Sequence, residues 1–187
     1  MTKAAIILGI LFATGGAAAC QPRSASHAPR EFLVAEPGHP PVIYVSSREL
    51  PVVGSAARAL AGDIKKMTGL TAVVTSDSSR LRGPLILLGT PDHNVLVRRL
   101  IRSHHLPDIS GAWEHFMIRV LSGATGPATR RVLLIAGSDA RGAAYGAFTL
   151  SRLWGVSPWQ WWADVTPTRR KTRAAAVDID LREGPSI

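Results

Sequence analysis

A tryptophan-rich segment near the carboxyl end has the residue types best suited to binding a ligand. Residues 157–164 read Ser-Pro-Trp-Gln-Trp-Trp-Ala-Asp, so Trp159, Trp161 and Trp162 lie close together and are followed by Asp164. Indole rings stack on the apolar faces of sugar rings, and their N–H groups keep a polar contact. The same rings would also fill an interface with another domain. Composition alone leaves these two interpretations equally open.

A glycine-flanked turn, residues 137–142, is the second segment with suitable residues. It follows a predicted buried strand and opens a predicted helix, so free N–H groups and the helix dipole make it a candidate anion site containing Ser138, Asp139 and Arg141. The turn lacks the Gly-Lys-Ser/Thr of a phosphate loop and the glycine spacing of a dinucleotide fold. The structural interpretation is favoured: Ser138 or Asp139 caps the helix, and the glycines permit the turn.

Other patterns that would indicate catalysis or metal binding are weak. His104 and His105 are adjacent, so on a helix they point in different directions, and no nearby Cys or acidic residue has ligand spacing. No order of Ser, His and Asp stands out, and the sole cysteine, Cys20, lies near the amino end. We therefore predict no catalytic residue, no metal site and no cofactor.

The elements that position these two segments are strands and helices that alternate along the chain. Val53, Ala57, Leu60, Ile64 and Met67 are spaced four, three, four and three residues apart, which predicts an amphipathic helix that Gly69 stops. The sequence Thr90-Pro91-Asp92 predicts the start of a second helix, which fades near residue 104. A third helix follows the glycine turn and ends at residue 155.

Six segments are predicted strands. Residues 116, 118 and 120 are apolar and alternate with 115, 117 and 119, which predicts a half-exposed strand that forms a hairpin with residues 132–136. The other predicted strands are residues 42–46, 71–75, 85–88 and 177–181. This alternation predicts an α/β fold with a mixed β-sheet and helices packed on it, in a single domain over residues 31–187.

The amino end has the pattern of an export signal. Lys3 precedes an apolar run, and the small residues Ala17-Ala18-Ala19 precede Cys20. We expect residues 1–19 to be a signal peptide and residues 20–30 a flexible tether. Lipid attachment at Cys20 and ordinary cleavage after Ala-x-Ala remain alternatives, so the protein is expected to be periplasmic, anchored as a lipoprotein, or secreted.

The chain is basic, with a formal net charge of +9. Such a balance suits nucleic acid or an acidic polymer. The charges are scattered, apart from one run at residues 169–173, which indicates a solvated surface. Export also disfavours nucleic acid, so none is expected as a partner.

Three segments together resemble glycoside hydrolase family 115, which contains bacterial xylan α-1,2-glucuronidases. They are Trp113-Glu114-x-Phe116, residues 136–146 and residues 155–165. Where the family usually has Lys in the turn, this sequence has Ala140. The resemblance implies an α/β domain similar to the second, non-catalytic domain of β-hexosaminidases, which family members carry before a (β/α)8 barrel.

The resemblance also implies where catalysis lies. The family inverts configuration, with the general acid and base mainly on the barrel, and a barrel needs about 250 residues. Inversion needs two carboxyls with distinct roles, and nothing recognisable assigns such roles to Asp139 and Asp164, so we reject them as a catalytic pair. We expect an amino-terminal domain without its carboxy-terminal barrel.

The ligand expected from the resemblance is glucuronoxylan or another uronic-acid-bearing oligosaccharide. In a complete enzyme the glycine turn and the tryptophan-rich segment would face the barrel mouth. Arg141, or the helix N-terminus, would then contact the uronate carboxylate. The alternative is a stand-alone carbohydrate-binding or domain-interaction module.

Overall fold

The computed structural model describes residues 32–34, 39–122, 131–157, 175–176 and 180–184. The predicted signal peptide and tether, Cys20, and the site candidates Trp159, Trp161, Trp162 and Asp164 lie outside these residues, so those assignments stay predictions. Across the described ranges, none of the helices has the length and apolarity that a membrane span requires.

A mixed β-sheet of six strands forms the centre of the domain. Its strands are β2 (Val42–Tyr44), β3 (Val73–Thr75), β4 (Leu85–Gly89), β5 (Phe116–Ser122), β6 (Arg131–Gly137) and β8 (Asp180–Glu183). Their order across the sheet is β3-β2-β4-β6-β5-β8. The pairs from β3 to β6 are parallel, whereas β5 runs antiparallel to both of its neighbours. The short strands β1 (Phe32–Leu33) and β7 (Ala175–Ala176) pair separately.

Helices cover both faces of this sheet. They are α1 (Pro51–Thr68), α2 (Val95–Ser103) and α3 (Ala140–Leu153). The buried residues of α1 and α3 share one hydrophobic core with one face of the sheet, and those of α2 share a second core with the other face. The predicted α/β class, a mixed sheet with helices packed on it, is confirmed.

The predicted apolar stripe forms the buried face of α1. Val53, Ala57, Leu60, Ile64 and Met67 are each at most 1% exposed, and burying a large aliphatic side chain contributes roughly 1.5–3 kcal/mol. Proline at the first helical position suits the helix start. The glycine after the helix adopts the left-handed conformation that ends many helices, with φ of 79°. The prediction for this helix, including its stop, is confirmed.

The predicted start of α2 is wrong. The helix begins at Val95, and its N-cap is the buried Asn94, whose Oδ1 accepts hydrogen bonds from the N–H groups of Leu96 and Val97. Thr90 instead closes a turn that precedes the helix, because its hydroxyl accepts from the His93 N–H at 3.3 Å and its carbonyl accepts from the Asn94 N–H at 2.9 Å. Its own N–H donates to Glu49 Oε1 at 2.7 Å. The local start signal therefore marks this turn, and the helix begins after it.

The hairpin of β5 and β6 is confirmed, but the half-exposed character of β5 is wrong. Ile118 pairs with Ile135 in the antiparallel register. Met117, on the face expected to meet solvent, is 0% exposed. The core beneath α2 extends under this strand, so both of its faces are covered.

Candidate functional site

The edge where β4 and β6 end brings the glycine turn beside the segment before β5. Phe116 at the start of β5 pairs with Gly137 at the end of β6 and with Glu183 near the end of β8. Residues 113–115 and 138–141 therefore meet at this edge. In open α/β sheets, ligands bind at the carboxyl ends of the parallel strands. This edge is the candidate site.

Ser138 joins the turn to His115 through three hydrogen bonds. Its N–H donates to the His115 carbonyl oxygen at 2.8 Å, and its Oγ accepts from the His115 N–H at 3.0 Å. The hydroxyl also donates to the His115 carbonyl at 3.1 Å. The Ser138 hydroxyl therefore connects the glycine-flanked turn to the segment that precedes β5.

Asp139 is the N-cap of α3. Its Oδ1 accepts from the Gly142 N–H at 2.8 Å, and its Oδ2 accepts from the Glu114 N–H, also at 2.8 Å. The capping interpretation of the turn is confirmed for Asp139. The chain's own carboxylate therefore occupies the helix N-terminus that the alternative interpretation assigned to an external anion.

Arg141, in the first turn of α3, forms an ion pair with Glu114. Arg141 Nη1 lies 2.7 Å from Glu114 Oε1, and the arginine side chain is 67% exposed whereas the glutamate side chain is 8% exposed. Glu114 also has a left-handed backbone with φ of 53°. Non-glycine residues persist in that conformation only where their surroundings impose it. The hydrogen bond from the Glu114 N–H to Asp139 holds this backbone, and the ion pair with Arg141 holds the side chain.

Glycines allow this close packing. A Cβ on Gly142 would overlap the carbonyl oxygen of His115, and one on Gly184 would overlap the His115 ring. The Gly137 position is equally closed, since a Cβ there would overlap the backbone of Ala143. The turn is therefore a rigid support for the exposed guanidinium of Arg141.

Sequence reasoning missed two acidic residues at this edge. Glu114 appeared only as part of a family-like segment, and Glu49 was not singled out. Glu49 accepts hydrogen bonds from the Thr90 N–H and hydroxyl. Burial raises the pKa of the Glu49 carboxyl above its ordinary value, and the hydrogen bonds from Thr90 partly offset this effect. No local pattern indicates either residue, because the partner of Glu114 is 27 positions away and the partner of Glu49 is 41 positions away.

The edge exposes an aromatic side chain as well as the Arg141 guanidinium. Trp113, adjacent to Glu114, is 56% exposed, so it offers an indole face within the described residues. The structurally described ranges hold no group of three His, Cys, Asp or Glu side chains that could ligate a metal. Trp113 and Arg141 can supply stacking and charge-assisted hydrogen bonds.

A groove between α1 and α3 is continuous with the strand edge, because Glu114, Glu183 and Gly184 are among its lining residues. This open groove has a volume of about 970 Å³ and is here called the α1–α3 groove. Its lining includes Gly62 of α1, Tyr145, Phe148 and Ser151 of α3, and Ser157, the first residue of the tryptophan-rich segment. Tyr145 and Phe148 are 45% and 52% exposed, respectively.

No family model matches the sequence, and no curated protein is significantly similar to it. Comparison with solved structures shows a domain related to glycoside hydrolases. The similar structure is titled "A novel family GH115 4-O-Methyl-alpha-glucuronidase, BtGH115A, with specificity for decorated arabinogalactans". The TM-score is 0.60 and the sequence identity 32% over 78% of this chain. This chain spans only 17% of the length of BtGH115A.

A second structure, titled "Structure of CpGH84D", is similar at a TM-score of 0.49 and 10% identity. That match covers 75% of this chain and 20% of the other.

Proposed function

We propose that this chain is the amino-terminal α/β domain of an exported, family 115-like α-glucuronidase, which supports or lines the active site without catalysing. The observation that carries the proposal is the 32% identity to BtGH115A over 78% of this chain. The proposed substrate is glucuronoxylan or another uronic-acid-bearing oligosaccharide. The proposed partner is a carboxy-terminal (β/α)8 barrel that supplies the general acid and base.

Three carboxylates at the strand edge are bonded within the chain, and these contacts support a non-catalytic role for the domain. Asp139 caps α3, Glu114 is paired with Arg141, and Glu49 is bonded to Thr90. An inverting glycosidase needs two carboxyls about 6.5–9.5 Å apart, one to protonate the leaving group and one to activate water. Asp139, held by the helix cap, and Glu114, held by the ion pair, are poorly placed for either task.

Arg141 is the residue we propose for contact with the uronate. A guanidinium carries five N–H donors, and Arg141 contacts Glu114 through Nη1 while two thirds of its side chain is exposed. Bidentate recognition of carboxylate is a typical use of arginine. Ser138 and Asp139 would support the turn that presents it, because their side chains bond within the chain.

A chimera tests this function. The matched segment of BtGH115A is replaced by this chain, and release of 4-O-methylglucuronic acid from a decorated arabinogalactan is measured. We expect activity well above that of BtGH115A with the segment deleted. In the active chimera, Arg141→Ala should raise KM more than Arg141→Lys does; an unchanged KM contradicts the role of Arg141.

A stand-alone carbohydrate-binding module is the second candidate, favoured by the three clustered tryptophans. Titration of the chain with a glucuronoxylan oligosaccharide, followed by tryptophan fluorescence, distinguishes the two. Saturable binding that Trp161→Ala abolishes supports the module. A flat response favours a domain that needs its barrel.

Export is part of the proposal and has its own test. Metabolic labelling with a radioactive fatty acid in a bacterial host should mark the full chain if Cys20 is a lipid attachment site. The Cys20→Ala variant is the control and should lose the label. An unlabelled chain of reduced mass in the periplasm indicates ordinary cleavage, whereas an unprocessed cytoplasmic chain contradicts export.

A further inference from the structure

A polar pocket lies beside α2, the helix that covers the face of the sheet opposite to α1 and α3. Its volume is about 530 Å³, which is within the usual range for sites that bind small ligands. It is here called the α2 pocket, and none of its lining residues belongs to the strand-edge site or to the α1–α3 groove. The polar residues that line it are Asp92, Arg98, Arg102, His105, Asp108 and Ser110.

Two arginines of α2 supply hydrogen-bond donors to this pocket. The guanidinium of Arg98 is fixed, because Nε donates to the Pro91 carbonyl oxygen at 2.7 Å and Nη2 donates to the Asp92 carbonyl oxygen at 2.9 Å. These contacts use only two of the five N–H donors that a guanidinium carries. Arg102, one turn further along the helix, is exposed, and its side chain forms no hydrogen bond or ion pair within the described part of the chain. The free donors of both residues suit a carboxylate.

His105 lines the pocket from a backbone position that glycine usually takes. It follows the end of α2 with φ of 49°, and its N–H donates to the Arg102 carbonyl oxygen. The N–H of Leu106 donates to the Ile101 carbonyl oxygen at 2.9 Å. This pair of bonds is a common helix ending in which glycine avoids the steric cost of a Cβ. The helix ending gives no reason for histidine here, and a non-glycine residue in this conformation beside a pocket indicates a functional side chain.

The segments on either side of α2 supply hydrogen-bond acceptors. In the loop after the helix, Asp108 Oδ1 accepts from the Ser110 N–H at 2.9 Å, and the hydrogen bonds from Ser110 lower the pKa of the Asp108 carboxyl below its ordinary value. This carboxylate keeps acceptor capacity for a hydroxyl group. Asp92, in the turn before the helix, is also exposed. Two carboxylates disfavour a compact polyanion such as phosphate, whereas a ligand with one carboxylate and several hydroxyls can use both the donors and the acceptors.

We propose that the α2 pocket is a second carbohydrate-binding site, which takes an acidic sugar unit of the polysaccharide, an inference that rests on the proposed function for the source of its ligand. Arg98 and Arg102 bind the sugar carboxylate, and Asp108 accepts hydrogen bonds from the ring hydroxyls. His105 contacts the same sugar unit. The site holds the polysaccharide apart from the strand edge at Arg141 and takes no part in hydrolysis.

The test is an NMR titration of the isotope-labelled full chain with a xylo-oligosaccharide that carries a single 4-O-methylglucuronic acid. We expect saturable chemical-shift changes at the amides of residues 101–110. The same oligosaccharide without the acid should bind about tenfold more weakly or less, because it lacks the group that the arginines bind. Unchanged amides at residues 101–110, or equal affinity for the neutral oligosaccharide, would overturn the proposal. Equal affinity for free glucuronate would show that the pocket takes a free acid, which overturns its role in holding the polysaccharide.

Matched substitutions on α2 separate a binding site from general attraction to a basic surface. Arg102→Gln removes a guanidinium that lines the pocket, and Arg99→Gln removes an exposed charge on the same helix that does not line it. We expect Arg102→Gln to weaken binding by about tenfold or more and Arg99→Gln by less than about twofold. Equal losses would mean that the ligand is attracted by net charge alone, and the inference would be wrong.

His105→Gly gives a readout that a purely structural role would not give. Glycine suits the left-handed position, so the variant should raise the unfolding midpoint and at the same time weaken binding. A raised midpoint with unchanged affinity would contradict the contact between His105 and the sugar. Shift changes confined to residues 138–141 would place the ligand at the strand edge and overturn the second site. An inactive BtGH115A chimera contradicts the proposed function instead, because the titration does not depend on hydrolysis.

Discussion

Arg141 Nη1 lies 2.7 Å from Glu114 Oε1, in a pair whose arginine is 67% exposed and whose glutamate is 8% exposed. The pair joins the first turn of α3 to the segment that enters β5. Glu114 is buried, so its carboxylate has little contact with water and needs the Arg141 guanidinium to compensate its charge. The exposed Arg141 is solvated by water and needs Glu114 less. The relationship makes Arg141 both a structural cation and the exposed charge of the candidate site.

Removal of Arg141 should destabilise the domain through Glu114. Arg141→Ala leaves a buried carboxylate without its cation, which we expect to cost about 1–2 kcal/mol after allowance for the exposed position of the arginine. Chemical denaturation of Arg141→Ala, Glu114→Gln and the double variant measures the coupling. If the two single effects simply add, the pair contributes no coupling energy and this account is wrong.

Replacement of Asp139 should lower the free energy of unfolding by more than the loss of a helix cap alone. Asp139→Ala removes the acceptor of the Gly142 N–H, worth about 1 kcal/mol, and also leaves the Glu114 N–H without its partner, at a similar cost. Asp139→Asn keeps one amide oxygen for the cap, so its free energy of unfolding should lie between those of the parent and Asp139→Ala. Urea denaturation orders the three, and an Asp139→Ala protein as stable as the parent contradicts the assignment.

Two glycines in helices should respond to alanine with opposite signs. Gly142→Ala places a methyl group against the carbonyl oxygen of His115, and we expect it to destabilise by roughly 1–3 kcal/mol. Gly62→Ala meets open space and should stabilise the isolated domain by about 0.5–1 kcal/mol. Thermal unfolding of both variants is the measurement, and shifts of the same sign would contradict the packing described at His115.

The raised pKa of Glu49 predicts a pH dependence of stability. Burial favours the protonated carboxyl in the folded state, so the folded protein holds this proton more tightly than the unfolded chain, whose value is near 4.5. The stability that Glu49 contributes is therefore fully present below that value and is lost as pH rises through the folded pKa. Glu49→Gln, which keeps an oxygen acceptor for Thr90, should remove this component.

The free energy of unfolding measured from pH 4 to 7 checks the sign. The parent should lose stability relative to Glu49→Gln as pH rises. Parallel curves for the two proteins would show that burial does not shift the Glu49 pKa.

Local patterns predicted the elements that leave a periodic or turn signal in the sequence. The stripe of α1, its glycine stop and the hairpin of β5 and β6 follow from periodicity and turn residues, and the structure confirms them. The capping role of Asp139 could also be read from its position between a strand and a helix. Each of these features has a periodic or turn pattern within a short stretch, which a single sequence displays.

Features that depend on distant contacts were missed or wrong. Helix α2 begins at Val95, after a turn closed by Thr90, and the N–H of Thr90 donates to the distant Glu49. The burial of Met117 depends on a core beneath a helix that periodicity in β5 cannot show. The Glu114–Arg141 pair and the α1–α3 groove likewise arise only when separate elements meet.

Activity of the BtGH115A chimera tests the central claim most directly. The claim predicts that a chimera carrying this chain in place of the matched segment releases 4-O-methylglucuronic acid from a decorated arabinogalactan, whereas the enzyme with the segment deleted does not. A folded chimera no more active than the deletion variant would contradict the assignment of this chain as a supporting domain of an α-glucuronidase.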